Sequence, residues 1–306
     1  MAVPLLITPS SPYLLDPAVV ILDATWLYGA PLPSGDAYKQ YLTKRIPRAR
    51  FWSLDEMSEP NPDGFKYMLP SPERLARAAA EHGITESSHV IIYDTQGAFS
   101  APRTVFTFFA YGHKKLSMVD GGLYRAVEEG IQLETGPPPP FEPSQYPIPE
   151  LKSNLIASFS EIATFASTTA PLFKTAVVLD ARNEDSFIGN ANDPRSGHIP
   201  NADSLPWRTT LRVVKSTASP DGFYYTLPTL KEFERELLVH LGPEKAALVL
   251  GGGQGRRIIH SCGGGISAAI AWLVMQANSF ESALYDESWS GYSARKDAVI
   301  ARGPSQ

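Results

Sequence analysis

The residue best suited to nucleophilic chemistry is Cys262, the single cysteine among 306 residues. It opens a glycine-rich segment, residues 262–267, which we call the cysteine loop. The segment Arg257-Ile258-Ile259-His260 before it is predicted to be a short buried strand, and the apolar segment 268–275 after it a helix. Backbone N–H groups and the positive end of the helix dipole then point at the sulfur, which favours the nucleophilic thiolate. The alternative is an inert cysteine that packs as a small hydrophobe, but three successive glycines give it little to pack against.

Size and composition favour a two-domain protein of a reducing compartment. At 306 residues and 43% hydrophobic content, two domains are the better expectation. A net charge of −5 without blocks of like charge argues against nucleic acid or a membrane surface as partner. One cysteine excludes intramolecular disulfides and thiol-rich zinc sites, and we expect no cofactor. Since the sequence shows neither targeting-peptide features nor a membrane-spanning apolar run, we expect a cytoplasmic or mitochondrial matrix location.

The strongest linker signal is the proline-rich segment that begins Gly136-Pro137-Pro138-Pro139-Pro140 and continues to Pro149. Consecutive prolines favour extended backbone and cannot join a helix or a central strand. We therefore predict a first domain over residues 1–136, a linker over 137–150 and a second domain over 151–306.

The two halves repeat one pattern of predicted elements. An apolar strand ends in aspartate at Asp23 and again at Asp180, and a second buried strand follows over 89–94 and 257–261. Such continuous apolar strands predict an α/β fold in which a mostly parallel sheet, covered by helices on both faces, occurs twice in tandem. Active groups of these sheets lie at the carboxyl ends of strands, where Cys262 falls. The matching place in the first half holds Asp94-Thr95-Gln96-Gly97, so we expect the second half to perform the chemistry.

Taken in order, the motifs resemble the rhodanese superfamily in its two-domain sulfurtransferase form. The resemblance covers nearly the whole chain and is carried by Leu22-Asp23-Ala24-Thr25-Trp26, Ile46-Pro47-Arg48-Ala49-Arg50-Phe51, Met68-Leu69-Pro70, Asp120-Gly121-Gly122, Gly197-His198-Ile199-Pro200 and Tyr285-Asp286-Glu287-Ser288-Trp289. It implies two tandem rhodanese-like domains, the first inactive and the second catalytic. It also implies that a sulfane sulfur passes from a small donor to Cys262 and then to a thiophilic acceptor.

The cysteine loop indicates the class of donor. Relatives that act on thiosulfate typically carry basic residues after the cysteine, whereas those acting on 3-mercaptopyruvate carry Cys-Gly-Ser/Thr-Gly-Val-Thr/Ser. The loop here is neutral and glycine-rich, so it is closer to the mercaptopyruvate type, with thiosulfate as the alternative. We expect the acceptor to be a thiol or cyanide, with thioredoxin as one candidate.

The persulfide on Cys262 would carry its negative charge on the outer sulfur. Preorganised backbone N–H groups stabilise such charge. The predicted donors are the amides of Gly263, Gly264, Gly265, Ile266 and Ser267. Ser267 is alternatively an N-cap of the following helix.

Three positions depart from the family pattern. Gly264 replaces a loop hydroxyl, Tyr67 replaces a histidine before Met-Leu-Pro, and Ser186 replaces one of two arginines that hold the substrate carboxylate. The second of these arginines is matched by Arg195, and Arg182 is also available to bind an anion. The alternatives are a solvated loop residue for Arg195 and an internal salt bridge for Arg182.

Other segments have less specific interpretations. Residues 246–256 lie outside the family pattern and are predicted to form an extra strand and a flexible glycine turn, because no Gly-Lys-Ser/Thr follows to make a phosphate-binding loop. His198 is interpreted as a structural hydrogen-bonding residue at a turn.

Two rival functions were weighed against sulfur transfer. A phosphatase of the Cys-x5-Arg type lacks its arginine, because Ala268 occupies that position. The second alternative is a non-catalytic or partner-dependent persulfide relay or binding protein. It stays open because Gly264, Tyr67 and Ser186 replace residues of the family pattern.

Overall fold

The computed structural model describes residues 3–27, 35–58, 64–168 and 176–305. The chain divides into two compact units. Unit 1 comprises Met1–Glu59, Leu69–Lys152 and Arg212–Leu227, and unit 2 comprises Pro60–Met68, Ser153–Leu211 and Pro228–Gln306. Each unit therefore includes a short segment from the opposite half of the sequence.

The centre of unit 1 is a parallel sheet. Its strands are β1 (Leu6–Ile7), β2 (Val20–Asp23), β3 (Arg50–Phe51), β4 (Val90–Tyr93) and β5 (Leu116–Val119). The described strands run in the order β1-β5-β4-β2-β3, all parallel. All residues of β2 and β4 are buried, as expected for interior strands covered on both sides.

Helices flank this sheet. They are α1 (Gly35–Thr43), α2 (Leu54–Met57), α3 (Pro72–Glu81), α4 (Ala101–Ala110) and α5 (Gly122–Glu128), with a 3-10 helix at Pro12–Leu15. At the start of α3 the Ser71 side chain accepts the N–H of Arg74, and Pro72 lies in the first turn.

Unit 2 has a second parallel sheet. Its strands are β6 (Ala176–Asp180), β7 (Asp203–Ser204), β10 (Arg257–Ser261) and β11 (Ala283–Leu284), in the order β11-β10-β6-β7. The predicted strand over 257–261 is therefore confirmed, and it lies in the interior of the sheet. Its last residue, Ser261, is in register with Asp180.

The helices of unit 2 are α6 (Phe159–Ser167), α7 (Glu184–Ile188), α8 (Leu230–Leu250), α9 (Ala268–Ala277) and α10 (Ser288–Ala294), with 3-10 helices at Ser153–Leu155 and Gly252–Gly255. A capping box starts α8: Thr229 and Glu232 exchange hydrogen bonds between side chain and backbone. The helix is interrupted at Gly242, whose φ of 74° is left-handed and which precedes Pro243.

The prediction of an extra strand within 246–256 is wrong, because helix α8 continues to Leu250. Ala246 and Val249 are both buried, at the spacing of one helix face, and a short apolar run does not distinguish a buried helix from a strand. The glycine turn that follows is present as the 3-10 segment Gly252–Gly255.

An antiparallel hairpin of β8 (Arg212–Lys215) and β9 (Phe223–Thr226) belongs to unit 1 although it lies late in the sequence. Tyr225 donates its N–H to the carbonyl of Gln96, and Leu227 donates its N–H to the Asp120 carboxylate. These long-range bonds attach the hairpin to loops at the ends of β4 and β5.

The proline-rich segment from Gly136 to Glu150 contains neither helix nor strand, as predicted. Among the residues that the structure describes, none of the helices combines the length and the apolar character that a bilayer crossing needs.

Candidate active site

Cys262 is the first residue after the interior strand β10, and α9 begins six residues later at Ala268. The thiol therefore lies at the carboxyl end of a parallel sheet, on the loop that the sequence predicted. The whole residue is only 2% exposed. Beside it, however, a Cβ added to Gly263 would meet no atom within 4 Å, so the loop borders open space at that position.

The sulfur is in contact with a main-chain donor. The N–H of Gly265 donates to Sγ of Cys262 at 3.1 Å. Gly265 has a φ of 84°, a left-handed conformation that residues with side chains disfavour. In this conformation its N–H points at the sulfur of Cys262. Preorganised N–H donors of this kind stabilise negative charge on sulfur without rearrangement.

The remaining residues of the cysteine loop have varied surroundings. Gly263, Gly264 and Ser267 are half-buried, whereas Ile266 is buried. The carbonyls of Ile266 and Ser267 accept the N–H groups of the first turn of α9. Ser267 occupies the N-cap position, but its side chain makes no capping hydrogen bond there. That the amides of these four residues hold a persulfide stays a prediction.

Ser288 is a site residue that sequence reasoning did not single out. Its hydroxyl accepts the N–H of Cys262 at 3.1 Å, donates to the carbonyl of Tyr285 at 2.9 Å, and lies 4.0 Å from Sγ. The residue is fully buried with a φ of 50°, which costs a non-glycine residue on the order of 1 kcal/mol. The only sequence signal for it is its place in the Tyr285-to-Trp289 motif.

The start of α10 also holds the backbone of the cysteine loop. The N–H of Trp289 donates to the carbonyl of Cys262 at 2.9 Å. Ser290 donates to the carbonyl of Gly263 twice, from its N–H at 3.0 Å and from its hydroxyl at 2.7 Å. Two successive carbonyls are thus fixed, which orients the loop amides.

Arg182 forms an internal salt bridge, which is the alternative to anion binding given above. Its guanidinium donates to both carboxylate oxygens of Asp180, with Nη2 at 2.6 Å, and also to the carbonyl of Gly197 at 2.8 Å. The guanidinium carbon lies 4.5 Å from the centre of the Trp289 ring. The side chains of Arg182 and Asp180 are 10% and 2% exposed, so this cation is already engaged by a buried carboxylate.

Arg195 lies on an exposed loop before β7. Its backbone N–H donates to the Asp193 side chain, and its Nη1 donates to the carbonyl of Arg295 at 2.9 Å. The contact between Arg195 and a substrate carboxylate stays a prediction.

The architecture is shared with solved structures. The crystal structure of SseA from Escherichia coli, described as a 3-mercaptopyruvate sulfotransferase of rhodanese fold, matches with a TM-score of 0.74 and 25% identity over 94% of this chain and 99% of that one. The Tum1 protein from Saccharomyces cerevisiae matches with a TM-score of 0.76 and 25% identity over 99% of both chains.

The relationship also extends to the sequence. A protein of Schizosaccharomyces pombe named probable 3-mercaptopyruvate sulfurtransferase is 31% identical over 293 residues, which are 93% of this chain and 91% of that protein. The chain belongs to the two-domain sulfurtransferases of the rhodanese superfamily. No protein-family model matches it.

Tyr67 also lies beside the cysteine loop. A Cβ built on Gly264 would lie 3.3 Å from Cδ2 of the Tyr67 ring and 3.7 Å from the carbonyl oxygen of Lys66. Tyr67 is half-buried and has a φ of 64°, which is uncommon for an aromatic residue. Two departures from the family pattern, Tyr67 and Gly264, are therefore neighbours in space.

Two histidines of unit 2, His260 and His198, are not suited to act as bases. His260 lies on β10 two residues before Cys262, and its complete burial lowers its pKa to about 3. His198 donates from Nδ1 to the carbonyl of Phe187 at 2.8 Å and stacks on that ring, while burial lowers its pKa. His198 is thus structural, as interpreted from the sequence. Across the described ranges, no cluster of His, Cys, Asp and Glu side chains could hold a metal ion.

Proposed function

We propose that this chain is a sulfurtransferase that moves a sulfane sulfur from 3-mercaptopyruvate to a thiophilic acceptor through a persulfide on Cys262. The observation that carries the proposal is the hydrogen bond from the Gly265 N–H to Sγ of Cys262, at the carboxyl end of an interior parallel strand. This contact provides a fixed main-chain donor for an anionic sulfur nucleophile. Membership of a sulfurtransferase family and the neutral cysteine loop support the same activity.

In the first half-reaction the thiolate of Cys262 attacks the sulfur of 3-mercaptopyruvate. The S–S bond forms from the electron pair of the thiolate, while the C–S bond breaks and leaves its pair on carbon as the pyruvate enolate. The proton that the donor thiol gives up balances the protonation of the enolate to pyruvate. The outer sulfur of the persulfide then carries the negative charge that loop amides stabilise. With thiosulfate, the leaving group is sulfite.

In the second half-reaction the acceptor attacks the outer sulfur, and Cys262 leaves as the thiolate. Cyanide would give thiocyanate, and a thiol such as that of thioredoxin would give a new persulfide. We place this reaction in the cytoplasm or the mitochondrial matrix, where reducing conditions regenerate the single thiol.

The arginines have different roles in this proposal. Arg195 contacts the donor carboxylate, because it lies on an exposed loop and a guanidinium can present a forked pair of donors to a carboxylate. Arg182 instead orients Trp289, and through it the cysteine loop, because its own guanidinium is engaged by Asp180.

Intact mass spectrometry tests the proposal. After incubation with 3-mercaptopyruvate, the wild type should gain one sulfur atom and Cys262→Ser should gain none, with thiosulfate as a parallel donor. The purified wild type should also release thiocyanate with cyanide over many turnovers.

The low exposure of Cys262 favours a second candidate, a partner-dependent relay. Sulfur gain that occurs only when a partner desulfurase is added would support the relay and contradict independent turnover.

A further inference from the structure

The ring of Tyr67 borders the space that a side chain at position 264 of the cysteine loop would occupy. A Cβ at Gly264 would approach Tyr67 Cδ2 to 3.3 Å, which is tighter than ordinary van der Waals contact. At Gly263, one residue nearer Cys262, the same added carbon would meet nothing within 4 Å. The space beside the two neighbouring glycines thus differs, because the Tyr67 ring lies next to position 264 and not next to position 263.

The backbone does not explain why position 264 is glycine. Gly265 has a left-handed φ, but Gly264 and Gly263 do not, so their backbones would accept any residue. A side chain at 264 is therefore opposed by the Tyr67 ring rather than by backbone strain. Tyr67, in contrast, has a left-handed φ of 64°. A strained residue at a functional site points to a role for the position of its side chain.

We propose that Tyr67 and Gly264 form a coupled pair that determines specificity, in which the aromatic ring limits the size of the sulfur donors that reach Cys262. The inference rests on the proposed sulfur transfer and adds to it a residue that selects the donor. Cys262 is 2% exposed, so a donor must enter past the groups that line the cysteine loop. On the side of Gly264 that group is the Tyr67 ring, and the compact donors 3-mercaptopyruvate and thiosulfate fit a site bounded in this way.

A double-mutant cycle tests the coupling. Gly264→Ser should lower kcat/KM for 3-mercaptopyruvate about tenfold or more in the wild type, because it overpacks against Tyr67. In the Tyr67→Gly background, which accepts the left-handed backbone and lacks the ring, the same change should cost less than about twofold. Gly263→Ser is the matched control: whatever its effect, it should be equal in both backgrounds. An equal cost of Gly264→Ser in both backgrounds overturns the inference.

A pair of thiosulfonate anions tests the limit on size. Methanethiosulfonate and benzenethiosulfonate transfer their outer sulfur to the thiolate in the same way: an S–S bond to Cys262 forms, the sulfonyl–sulfur bond breaks, and a sulfinate leaves with that electron pair. Tyr67→Gly should raise the ratio of kcat/KM for benzenethiosulfonate to kcat/KM for methanethiosulfonate about tenfold or more. Tyr67→Phe keeps the ring and should leave the ratio within about twofold of the wild type. A ratio unchanged in Tyr67→Gly overturns the proposal.

Two further measurements separate the possible failures. If the wild type gains no sulfur from any donor by intact mass, the proposed function fails and the specificity pair fails with it. Alternatively, the wild type gains sulfur while Gly264→Ser costs the same in both backgrounds and Tyr67→Gly leaves the thiosulfonate ratio unchanged. In that case the proposed function stands and only the specificity role of Tyr67 and Gly264 fails. Should Gly264→Ser not fold, as judged by circular dichroism, Gly264→Ala replaces it in the cycle, and an equal cost in both backgrounds again contradicts the inference.

Discussion

Asp94 and Cys262 occupy equivalent positions in the two parallel sheets. Each directly follows the last residue of an interior strand, β4 or β10, and in each case that last residue is in register with an aspartate. The carboxylate of Asp94 accepts four backbone N–H groups at 2.6–2.8 Å, from Gly97, Phe99, Ser100 and Ala101. Unit 1 thus binds a built-in carboxylate with loop amides, at the position where unit 2 has a sulfur nucleophile.

We expect Asp94→Asn to destabilise the protein by about 1–3 kcal/mol, because an amide NH2 group would face donors that a carboxylate oxygen now satisfies. Urea unfolding followed by tryptophan fluorescence measures this loss. Asp221→Asn, at an exposed turn, is the control and should change stability by less than about 0.5 kcal/mol. Equal effects of the two substitutions would contradict a binding role for the amides around Asp94.

Ser288→Ala should lower kcat/KM about tenfold or more. The buried N–H of Cys262 loses its acceptor in this variant, so the cysteine loop is no longer held in position. Ser288→Gly suits the left-handed backbone but also lacks the hydroxyl, so a similar loss in both variants would assign the effect to the hydroxyl. Steady-state kinetics with 3-mercaptopyruvate provide the measurement.

Ser290→Ala is the comparison for Ser288. The carbonyl of Gly263 keeps the hydrogen bond from the Ser290 N–H when the hydroxyl is removed, so the loss of activity should be smaller. A variant at Ser290 that is as impaired as Ser288→Ala would show that the hydrogen bond to Cys262 has no special importance.

Arg182 and Arg195 should respond differently to truncation. Arg182→Ala leaves Asp180 buried without its cation and should cost about 3–5 kcal/mol of stability. Arg195→Ala should change stability by less than about 0.5 kcal/mol and raise KM for 3-mercaptopyruvate. Urea unfolding and initial-rate kinetics on both variants are the tests. The assignment would be wrong if Arg182→Ala raised KM while keeping wild-type stability, or if Arg195→Ala left KM unchanged.

The sequence predicted the framework of the site because that framework depends on local patterns. Continuous apolar residues identified the strands that end at Asp180 and Ser261, and the glycine run identified the cysteine loop. Each of these features is encoded within a few neighbouring residues.

What the sequence did not predict depends on tertiary contacts. The role of Ser288 follows from its position against the backbone of Cys262, 26 residues away along the chain. The choice of Arg182 between Asp180 and an anion is decided by burial, which a pattern of residue types does not contain. The helix that replaced the strand predicted within 246–256 shows the same limit, because short apolar runs fit both structures.

His260 should make stability depend on pH. Neither ring nitrogen has a hydrogen-bond partner, and burial lowers the pKa in the folded state to about 3 from its ordinary 6.5. Between these values the unfolded chain binds a proton that the folded chain does not, so stability is lost as the pH falls below 6.5. Protonation of His260 lowers the free energy of unfolding by at most about 1.4 kcal/mol for each pH unit. In His260→Leu the free energy of unfolding should therefore fall less steeply than in the wild type between pH 6.5 and 5, whereas above pH 7 the two proteins should show the same dependence. Urea unfolding across pH 5 to 8 measures both slopes, and equal slopes below pH 6.5 would show that His260 is not the titrating group.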